Sequence, residues 1–424
     1  MMEKYKFINE KYDNKILFFL FFILFYIGRD TLTANCLLGF LNSQIITVIL
    51  IFIVTCIFLY NNRLQLTLLL RDKRTIVFIT LSIIFLLPML VKRDFQLMYF
   101  SIFFCIYFAY ILSFIVEFKD LCKWFVITVS FFSLFSLITT YLLKYLAIYN
   151  VIPSVIFSNS SGLKFYNYLF SYSVIYENYL RNFGIFREPG VFQFFIFISI
   201  FLCLYQIKWN CKKNKYVILI LLTITMFSTF STSGVIEMIF LYIFYFFEKK
   251  LYKNKLILGI LSFLIFCTLF FLIYGINNRG LLYLTLNNQF SKLFSFNSSS
   301  SPRIMSIFSN LKIFLNHPLV GDTVMISMSS VSHNTSSSLI LFSILGLLGG
   351  MFNLLIWINF IKKYQFSNIF FLLNLLVVFL SFNTQALIGN IFFWVIPTFL
   401  FFDCIHQIIN KYGNLFKKIR RKYA

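Results

Sequence analysis

The chain has 424 residues, of which 60% are hydrophobic, 21% are aromatic and only 12% are charged. Soluble globular proteins carry about 25% charged and about 45–50% apolar residues, so this composition excludes a soluble enzyme, a disordered protein and a coiled coil. A net charge of +23 would be compatible with nucleic-acid binding in a soluble chain. The mean hydropathy of +0.85 instead predicts a polytopic membrane protein.

Twelve apolar segments are predicted to be transmembrane helices, because a helix satisfies its own backbone hydrogen bonds in lipid. They lie at about 16–34, 45–60, 75–91, 97–116, 124–143, 190–207, 216–232, 234–248, 256–275, 337–361, 367–385 and 387–405. Several are shorter than the roughly 20 residues of a full span, so their ends are approximate. The predicted fold class is an all-α polytopic integral membrane protein with about 12 transmembrane helices, forming a single domain over 1–424.

The basic residues divide unequally between the two sides of this predicted bundle. An even number of spans puts both termini on one side, and that side holds 26 of the 37 Lys and Arg residues. Because positively charged loops are retained in the cytoplasm, both termini are predicted to be cytoplasmic. The excess charge is then a topology signal, and no nucleic-acid partner is predicted.

Two long segments on the opposite, extracytoplasmic side interrupt the hydrophobic pattern. They run over about 144–188 and 276–336, and loops of this length are usually functional or disordered. Their common side predicts a shared outer site. The eight cysteines form no CxxC pair and no Cys/His cluster, so neither a metal site nor a disulfide framework is predicted.

The first candidate constellation is the segment 181–190, which leads directly into the sixth predicted span. Pro189 fits the first helical position, so the positive end of the helix dipole is predicted to point outward. Arg187 lies beside that end and Arg181 six residues earlier. An anion or Glu188 must compensate these cations, which is what a phosphate or pyrophosphate site requires. The alternative is an Arg–Glu pair at a membrane interface.

The second constellation contains Arg303 and the turn 316–322. The apolar residues between them predict a short amphipathic helix along the outer membrane surface. Arg303 near its start is a candidate anion ligand, and a lipid headgroup contact is the alternative. His317 before Pro318 is interpreted as a turn residue.

The third constellation is 332–335, which opens the tenth predicted span. Asn334 or Thr335 is predicted to cap that helix. His333 then lies near a helix amino end, where the dipole favours a neutral ring that can accept a proton. The alternative is a capping or interfacial histidine. Glu237, inside a predicted span, is a secondary candidate because a carboxylate costs about 2.5–3.5 kcal/mol at a membrane centre.

At these places the sequence resembles the O-antigen polymerase and O-antigen ligase superfamily of bacterial polysaccharide assembly. Arg187-Glu188-Pro189-Gly190 resembles its R-x-P-G-like helix start, and Ser231-Thr232-Ser233-Gly234 resembles its S-x-S-G step. Arg303, the turn 316–321 and His333-Asn334 resemble its large outer loop. The resemblance covers roughly residues 181–350.

The resemblance implies a glycosyltransferase of the bacterial cytoplasmic (inner) membrane with an extracytoplasmic active site. It would polymerise undecaprenyl-pyrophosphate-linked repeat units into a surface polysaccharide, an O-antigen or a capsule, in a metal-independent reaction without a cofactor. The implied partners are the lipid-linked glycan and the bilayer, and a chain-length regulator is a further candidate. The site residues are assigned as catalytic (His333, Glu188), pyrophosphate-binding (Arg187, Arg303, Arg181) and secondary (Glu237).

Aromatic residues of the first outer segment fit either of two roles, sugar stacking or an interfacial aromatic belt. They are Tyr166, Tyr168, Tyr172, Tyr176 and Tyr179.

Two other functions remain open on the sequence alone. An O-antigen ligase would transfer the glycan to lipid A-core instead of to another repeat unit. A lipid-linked oligosaccharide flippase would keep its polar residues near the bilayer midplane and often shows repeated halves. Since the polar candidates here lie on one outer face, the enzyme is the favoured prediction.

Overall fold

The fold is that of a computed structural model, which describes residues 13–61, 72–149, 151, 155–158, 162–176, 181–209, 211–253, 300–329, 334–364, 366–383, 385–405 and 407. The predicted span at 256–275 and the candidate His333 lie outside these residues. For residues 300–304, including Arg303, the backbone is described and the side chains are not.

The described chain is mostly helical, as predicted. The first half contains α1 (Asp13–Tyr26), α2 (Phe40–Asn61), α3 (Lys73–Lys92), α4 (Leu97–Ile115), α5 (Phe118–Ile138) and α6 (Lys144–Ile148), with π-helical turns at Thr33–Leu37 and Thr139–Leu143. The second half contains α7 (Pro189–Tyr205), α8 (Lys212–Ser228), α9 (Thr232–Glu248), α10 (Ser300–Asn316), α11 (Val324–Ser329), α12 (Ser337–Lys362), α13 (Asn368–Asn383) and α14 (Ile391–Ile405). A short 3-10 turn covers Leu251–Lys253.

Membrane-spanning capacity follows from helix length and composition. Within the described residues, five helical segments are long and apolar enough to cross a bilayer, and they comprise α2, α3, α4, the continuous segment Phe118–Ile148 and α12. Shorter apolar helices, among them α1, α7, α13 and α14, accompany them. A mostly helical membrane protein is therefore confirmed, while the total of twelve spans and their sidedness stay predictions.

Helix α7 lies at the centre of the bundle. Pro189 occupies its first turn, as predicted, and every residue from Pro189 to Leu204 is buried. A helix that is apolar on all sides can be covered by protein or by lipid, and α7 is covered by protein, since it packs against α5, α8, α9 and α13. Its amino end is therefore held rigidly from several directions.

A break inside α12 is the main departure from regular helix. Gly346 has φ +68° and ψ −161°, a conformation open to glycine but not to most L residues. The segment after α10 fills the break, since Leu347 N donates to Pro318 O at 2.7 Å and Asp322 N donates to Ser343 O at 2.7 Å. The uninterrupted apolar pattern of this segment predicted no break.

Lys92, at the end of α3, joins α12 to the segment that fills its break. Its Nζ donates to Asp322 O in that segment at 2.6 Å and to Ile344 O in α12 at 2.5 Å. The ammonium group thereby helps to hold the segment against α12.

A three-stranded antiparallel sheet, which the sequence did not predict, lies in the first long segment. Its order is β1 (Val155–Ser158), β2 (Lys164–Asn167) and β3 (Tyr172–Val174). Strands of three or four residues are too short to show a clear alternating pattern. The sheet is tied to the lead-in of α7, because Tyr172 N donates to Gly184 O at 3.0 Å.

Candidate functional site

The chain before α7 pairs with the chain after α1. Leu32 N donates to Ile185 O at 2.7 Å and Arg187 N donates to Asp30 O at 2.9 Å. Thr31 and Phe186 form an isolated antiparallel bridge between these bonds. The backbone of Arg187 is thereby fixed to that of Asp30, although the two are far apart in sequence.

The Arg187 side chain forms an ion pair with the same residue. Nη2 of Arg187 lies 3.3 Å from Oδ1 of Asp30, whose side chain is only 5% exposed, while that of Arg187 is 38% exposed. The second carboxylate oxygen accepts a hydrogen bond from Asn390 Nδ2 at 3.0 Å. Nη2 also donates to Ala386 O at 3.4 Å. Three separate segments of the chain therefore meet at this carboxylate.

Arg187 still has unused donor capacity. Its Nε is buried, and within the described part of the chain it has no hydrogen-bond acceptor. A guanidinium group carries five N–H donors in a fixed fork, and a buried donor without an acceptor is costly. A planar oxyanion that reaches Nε would relieve that cost.

Arg29 places a second guanidinium group at this cluster. Burial lowers the pKa of Arg29, Asp30 opposes that change, and the positive charge of Arg187 adds to it. Gly389 lies directly against this side chain, since a Cβ on Gly389 would be 2.2 Å from Nη1 of Arg29. Arg29, Asp30, Arg187 and Asn390 are called the arginine cluster below.

Sequence reasoning missed Arg29 and Asp30 because both fell inside the predicted span 16–34. The structure ends α1 at Tyr26, before this pair. The sequence did carry a signal for these two residues. Charged side chains such as Arg and Asp cost about 2.5–3.5 kcal/mol each at a membrane centre, so their presence near the end of an apolar run indicates that the span ends before them. Shortening the span to exclude them would have marked them as candidates.

Glu188 does not form the ion pair with Arg187 that the alternative interpretation of the sequence gave it. It is exposed at the amino cap of α7, and its side chain makes no capping hydrogen bond. In the described residues the carboxylate that pairs with Arg187 is Asp30. The alternative Arg–Glu pair is therefore replaced by a pair between the partly exposed Arg187 and the buried Asp30, because Asp30 is held at that point by backbone pairing.

Arg181 and Arg187 have different contacts. Nε of Arg181 donates to Thr229 O at 3.3 Å, in the turn between α8 and α9. The next residue, Asn182, is buried and its Nδ2 donates to Ser136 Oγ and Ser228 Oγ, each at 2.9 Å. This segment fastens the lead-in of α7 to α5 and α8.

The serine step at the start of α9 meets α7 through Gln193. Oε1 of Gln193 accepts hydrogen bonds from Ser231 and Ser233, the latter at 3.1 Å. Gly234 permits this approach, since a Cβ there would lie 2.7 Å from Oε1 of Gln193. Glu237 lies one turn further along α9 and is 3% exposed. The carboxylate is thus inside the bundle near the amino end of α9.

The arginine cluster is connected to the start of α12. Gly190 in α7 touches Gln385, where a Cβ would lie 2.0 Å from Nε2. Ser337 donates to Gln385 O, and Ser337 Oγ accepts from Leu387 N at 2.8 Å. The segment between α13 and α14 therefore contacts α7 and α12 at the same end of the bundle.

Asn334 does not cap α12, so that prediction is wrong. The helix begins after Ser336, which makes no side-chain cap. Asn334 instead bonds to α10: its Oδ1 accepts from Ser306 Oγ and from Asn310 Nδ2, each at 2.8 Å. Its Nδ2 donates to Asn310 Oδ1 at 3.1 Å and to Ser327 O at 2.9 Å. Ser306, Asn310, Ser327 and Asn334 are called the amide junction below.

The predicted helix around Arg303 is present as α10. Arg303 lies one turn before Ser306 in the sequence of α10. At the other end of α10, His317 Nε2 lies 3.6 Å from Asp322 Oδ2. This agrees with its interpretation as a turn residue.

The tyrosines of the first long segment divide into two sets. Tyr172 is fully buried and its hydroxyl lies 2.7 Å from Thr33 Oγ1, and Tyr166 is 6% exposed. Tyr176 is 56% exposed. Tyr166 and Tyr172 therefore pack the sheet, while Tyr176 is the one of these three that is open to a ligand. Tyr179 lies outside the described residues.

Comparison with known proteins adds no assignment: no protein-family model and no curated protein matches the chain. Across the described residues, no three His, Cys, Asp or Glu side chains converge on a point that could hold a metal ion. The functional argument therefore depends on the arginine cluster, the amide junction and the elements that hold them.

Proposed function

We propose that this protein is a membrane glycosyltransferase that polymerises undecaprenyl-pyrophosphate-linked oligosaccharide repeat units into a surface polysaccharide. In this proposal the reaction occurs on the outer face of the bacterial cytoplasmic membrane, and both chain termini are cytoplasmic. The observation that carries it is the arginine cluster, in which one buried carboxylate holds Arg187 at the amino end of a central helix.

The electrostatics of that cluster suit a diphosphate leaving group. Negative charge grows on the diphosphate as the glycosidic bond breaks, and fixed guanidinium groups stabilise such charge without reorganising during the reaction. The amino end of α7 adds a positive dipole end beside Arg187. The rigid packing of α7 supports the proposal, because positioned charges act only where their geometry is maintained.

The acceptor sugar hydroxyl needs a base or an orienting group. We assign this role to His333, which directly precedes Asn334 of the amide junction. Arg303, one turn before Ser306 on α10, is assigned to the donor as a further cation. Glu188 is the competing base, because it is exposed and Arg187 has its ion pair with Asp30.

The test replaces Arg187 in the native bacterium and examines its surface polysaccharide. Arg187→Ala should abolish long polymer and leave single lipid-linked repeats, because loss of one positioned donor typically costs about 10²–10³ in rate. Arg187→Lys should remain impaired, since an ammonium group cannot reproduce the fork.

Arg93→Ala is the matched control, since Arg93 is an exposed arginine that follows α3. It should leave chain length unchanged. Normal polymer in the Arg187→Ala strain, with protein at wild-type level in the membrane, would contradict the proposal.

A further inference from the structure

Arg29 is held in a defined position by its neighbours in the chain. It lies in the turn that follows α1, where Thr31 N donates to Gly28 O at 2.9 Å. Its carbonyl accepts from Asn35 Nδ2 at 2.9 Å. On the other side, the backbone of Gly389 leaves room for the guanidinium group, as a Cβ there would overlap it. Both the backbone and the guanidinium group of Arg29 are thus held in place.

The arginine cluster has two cations for one buried carboxylate. Asp30 contacts Arg187 through Oδ1, and its Oδ2 accepts from Asn390. The second oxygen is therefore already engaged, and Asp30 does not form a two-pronged pair with Arg187. Arg187 keeps a buried Nε without an acceptor among the described residues. Arg187 thus keeps donor capacity beside the guanidinium group of Arg29.

Possible lipid ligands differ in the number of phosphate groups that they present to the arginine cluster. A lipid diphosphate joined to a sugar carries one ionised oxygen on each of two phosphorus atoms. A lipid monophosphate, or the headgroup of an anionic phospholipid, offers a single phosphorus. Two neighbouring guanidinium groups can each engage one phosphate of a diphosphate, whereas a monophosphate satisfies only one of them.

We infer that Arg29 is a specificity residue of the donor site, which together with Arg187 selects a lipid diphosphate over a lipid monophosphate. Asp30 is a positioning residue that sets the separation of the two guanidinium groups. This inference rests on the proposed function, since it concerns the same donor.

The test measures binding of two lipids to the purified full-length protein in phosphatidylcholine nanodiscs. The probes are undecaprenyl diphosphate and undecaprenyl monophosphate, with phosphatidylglycerol as a third arm that represents an anionic headgroup. The wild type should bind the diphosphate at least about tenfold more tightly than either other lipid, the factor expected for one added charge-assisted hydrogen bond.

Arg29→Gln should remove most of this preference. Diphosphate affinity should fall about tenfold while monophosphate affinity changes little, because the monophosphate needs only Arg187. Gly389→Ala gives an independent perturbation, since its Cβ displaces the Arg29 guanidinium without removing charge. It should lower diphosphate affinity in the same direction.

Gly28→Ala is the matched control for the glycine substitution. It lies beside Arg29, and an added Cβ there meets no atom closer than 3.4 Å. It should bind both lipids as the wild type does. Should Arg29→Gln prevent folding, the comparison of Gly389→Ala with Gly28→Ala still decides the question.

The outcomes separate this inference from the function on which it rests. Unchanged diphosphate affinity in both Arg29→Gln and Gly389→Ala, with loss in Arg187→Ala, overturns the role of Arg29 and leaves the proposed function in place. Equal loss for diphosphate and monophosphate overturns the selectivity. A wild type that prefers phosphatidylglycerol or binds no diphosphate overturns both proposals.

Discussion

The arginine cluster and the amide junction use polar groups in opposite ways. In the amide junction both atoms of the Asn334 amide are bonded: Oδ1 accepts twice and Nδ2 donates twice, all to neutral groups of α10 and Ser327. In the arginine cluster Arg187 pairs with Asp30 beside a second guanidinium group, that of Arg29, and Arg187 keeps a buried Nε without an acceptor among the described residues. The Asn334 amide is fully bonded to neutral groups, whereas the arginine cluster is charged and Arg187 keeps an unused donor.

This contrast separates stability from ligand binding. A buried network whose members are all paired holds elements in a unique arrangement and gains nothing from a ligand. A cluster with surplus charge and an unused donor is less stable alone and gains from an anion. The two regions should therefore respond to substitution through different measurements.

The largest effect on activity is expected for substitution of His333, which directly precedes Asn334 of the amide junction. This substitution tests whether that region has only a structural role. His333→Ala should lower turnover at saturating donor by about 10²–10⁴-fold, the usual contribution of a general base. A general base must be unprotonated to accept a proton, so activity should fall as the medium is acidified. Turnover is measured with purified protein and lipid-linked repeats.

The donor Kd of this variant should stay near the wild-type value. Unchanged turnover in His333→Ala would contradict the assignment of His333 as the base and would leave this region with a structural role only.

Asn334→Ala should act on stability instead of donor recognition. It leaves Asn310 and Ser306 without their shared partner, and an unsatisfied buried polar group costs about 1–3 kcal/mol. The melting temperature in detergent should fall by several degrees while the ratio of diphosphate to monophosphate affinity stays constant. Asn42→Ala serves as the comparison, because the Asn42 side chain bonds only to the carbonyl of Leu38 in an exposed position. A changed affinity ratio without a change in melting temperature would erase the distinction between the two regions.

Asp30→Asn should affect the arginine cluster more moderately. The amide keeps the shape of the side chain but weakens the hold on Arg187, so KM for the donor should rise about fivefold, which corresponds to one net hydrogen bond of about 1 kcal/mol. The kcat should change less than KM, because the carboxylate positions a binding group and does not contact the reacting atoms. A fall in kcat at constant KM would indicate a chemical role for Asp30 that the structure does not suggest.

The smallest effect on donor binding is expected for substitution of Glu188. Because Glu188 is exposed and Arg187 pairs with Asp30, Glu188→Gln should change donor KM by less than about twofold, in line with the weakness of exposed charge pairs. Asp30→Asn in the same assay provides the reference. A KM shift larger than that of Asp30→Asn would restore the Arg–Glu pair, and a large fall in kcat would make Glu188 the base.

The local features of this fold were predictable from sequence. Hydropathy located most of the described apolar helices to within a few residues, although the first predicted span extended well past Tyr26, and Pro189 correctly marked the first turn of α7. These features depend on segments of about 20 residues or fewer, which a sequence window can detect.

Features that depend on distant segments were not predictable. The pairing of Arg187 with Asp30 joins the chain after α1 to the chain before α7, and no periodicity encodes that contact. The break at Gly346 depends on Pro318 and Leu319 entering α12 from another segment. Asn334 fits the rule for a helix cap, yet α10 and α11 together offer its side chain four hydrogen bonds, and tertiary contact overrides the local preference.

The hydrogen bond from Asn390 to Asp30 has a consequence for how the protein is made. Its two residues are separated by 360 positions. Synthesis at about 5–20 residues per second places roughly 20 to 70 s between the appearance of the carboxylate and that of its amide donor. During that interval the first helices are already in the membrane, but the arginine cluster lacks Asn390. The proposed donor site is therefore complete only once the segment before α14 has joined the earlier helices.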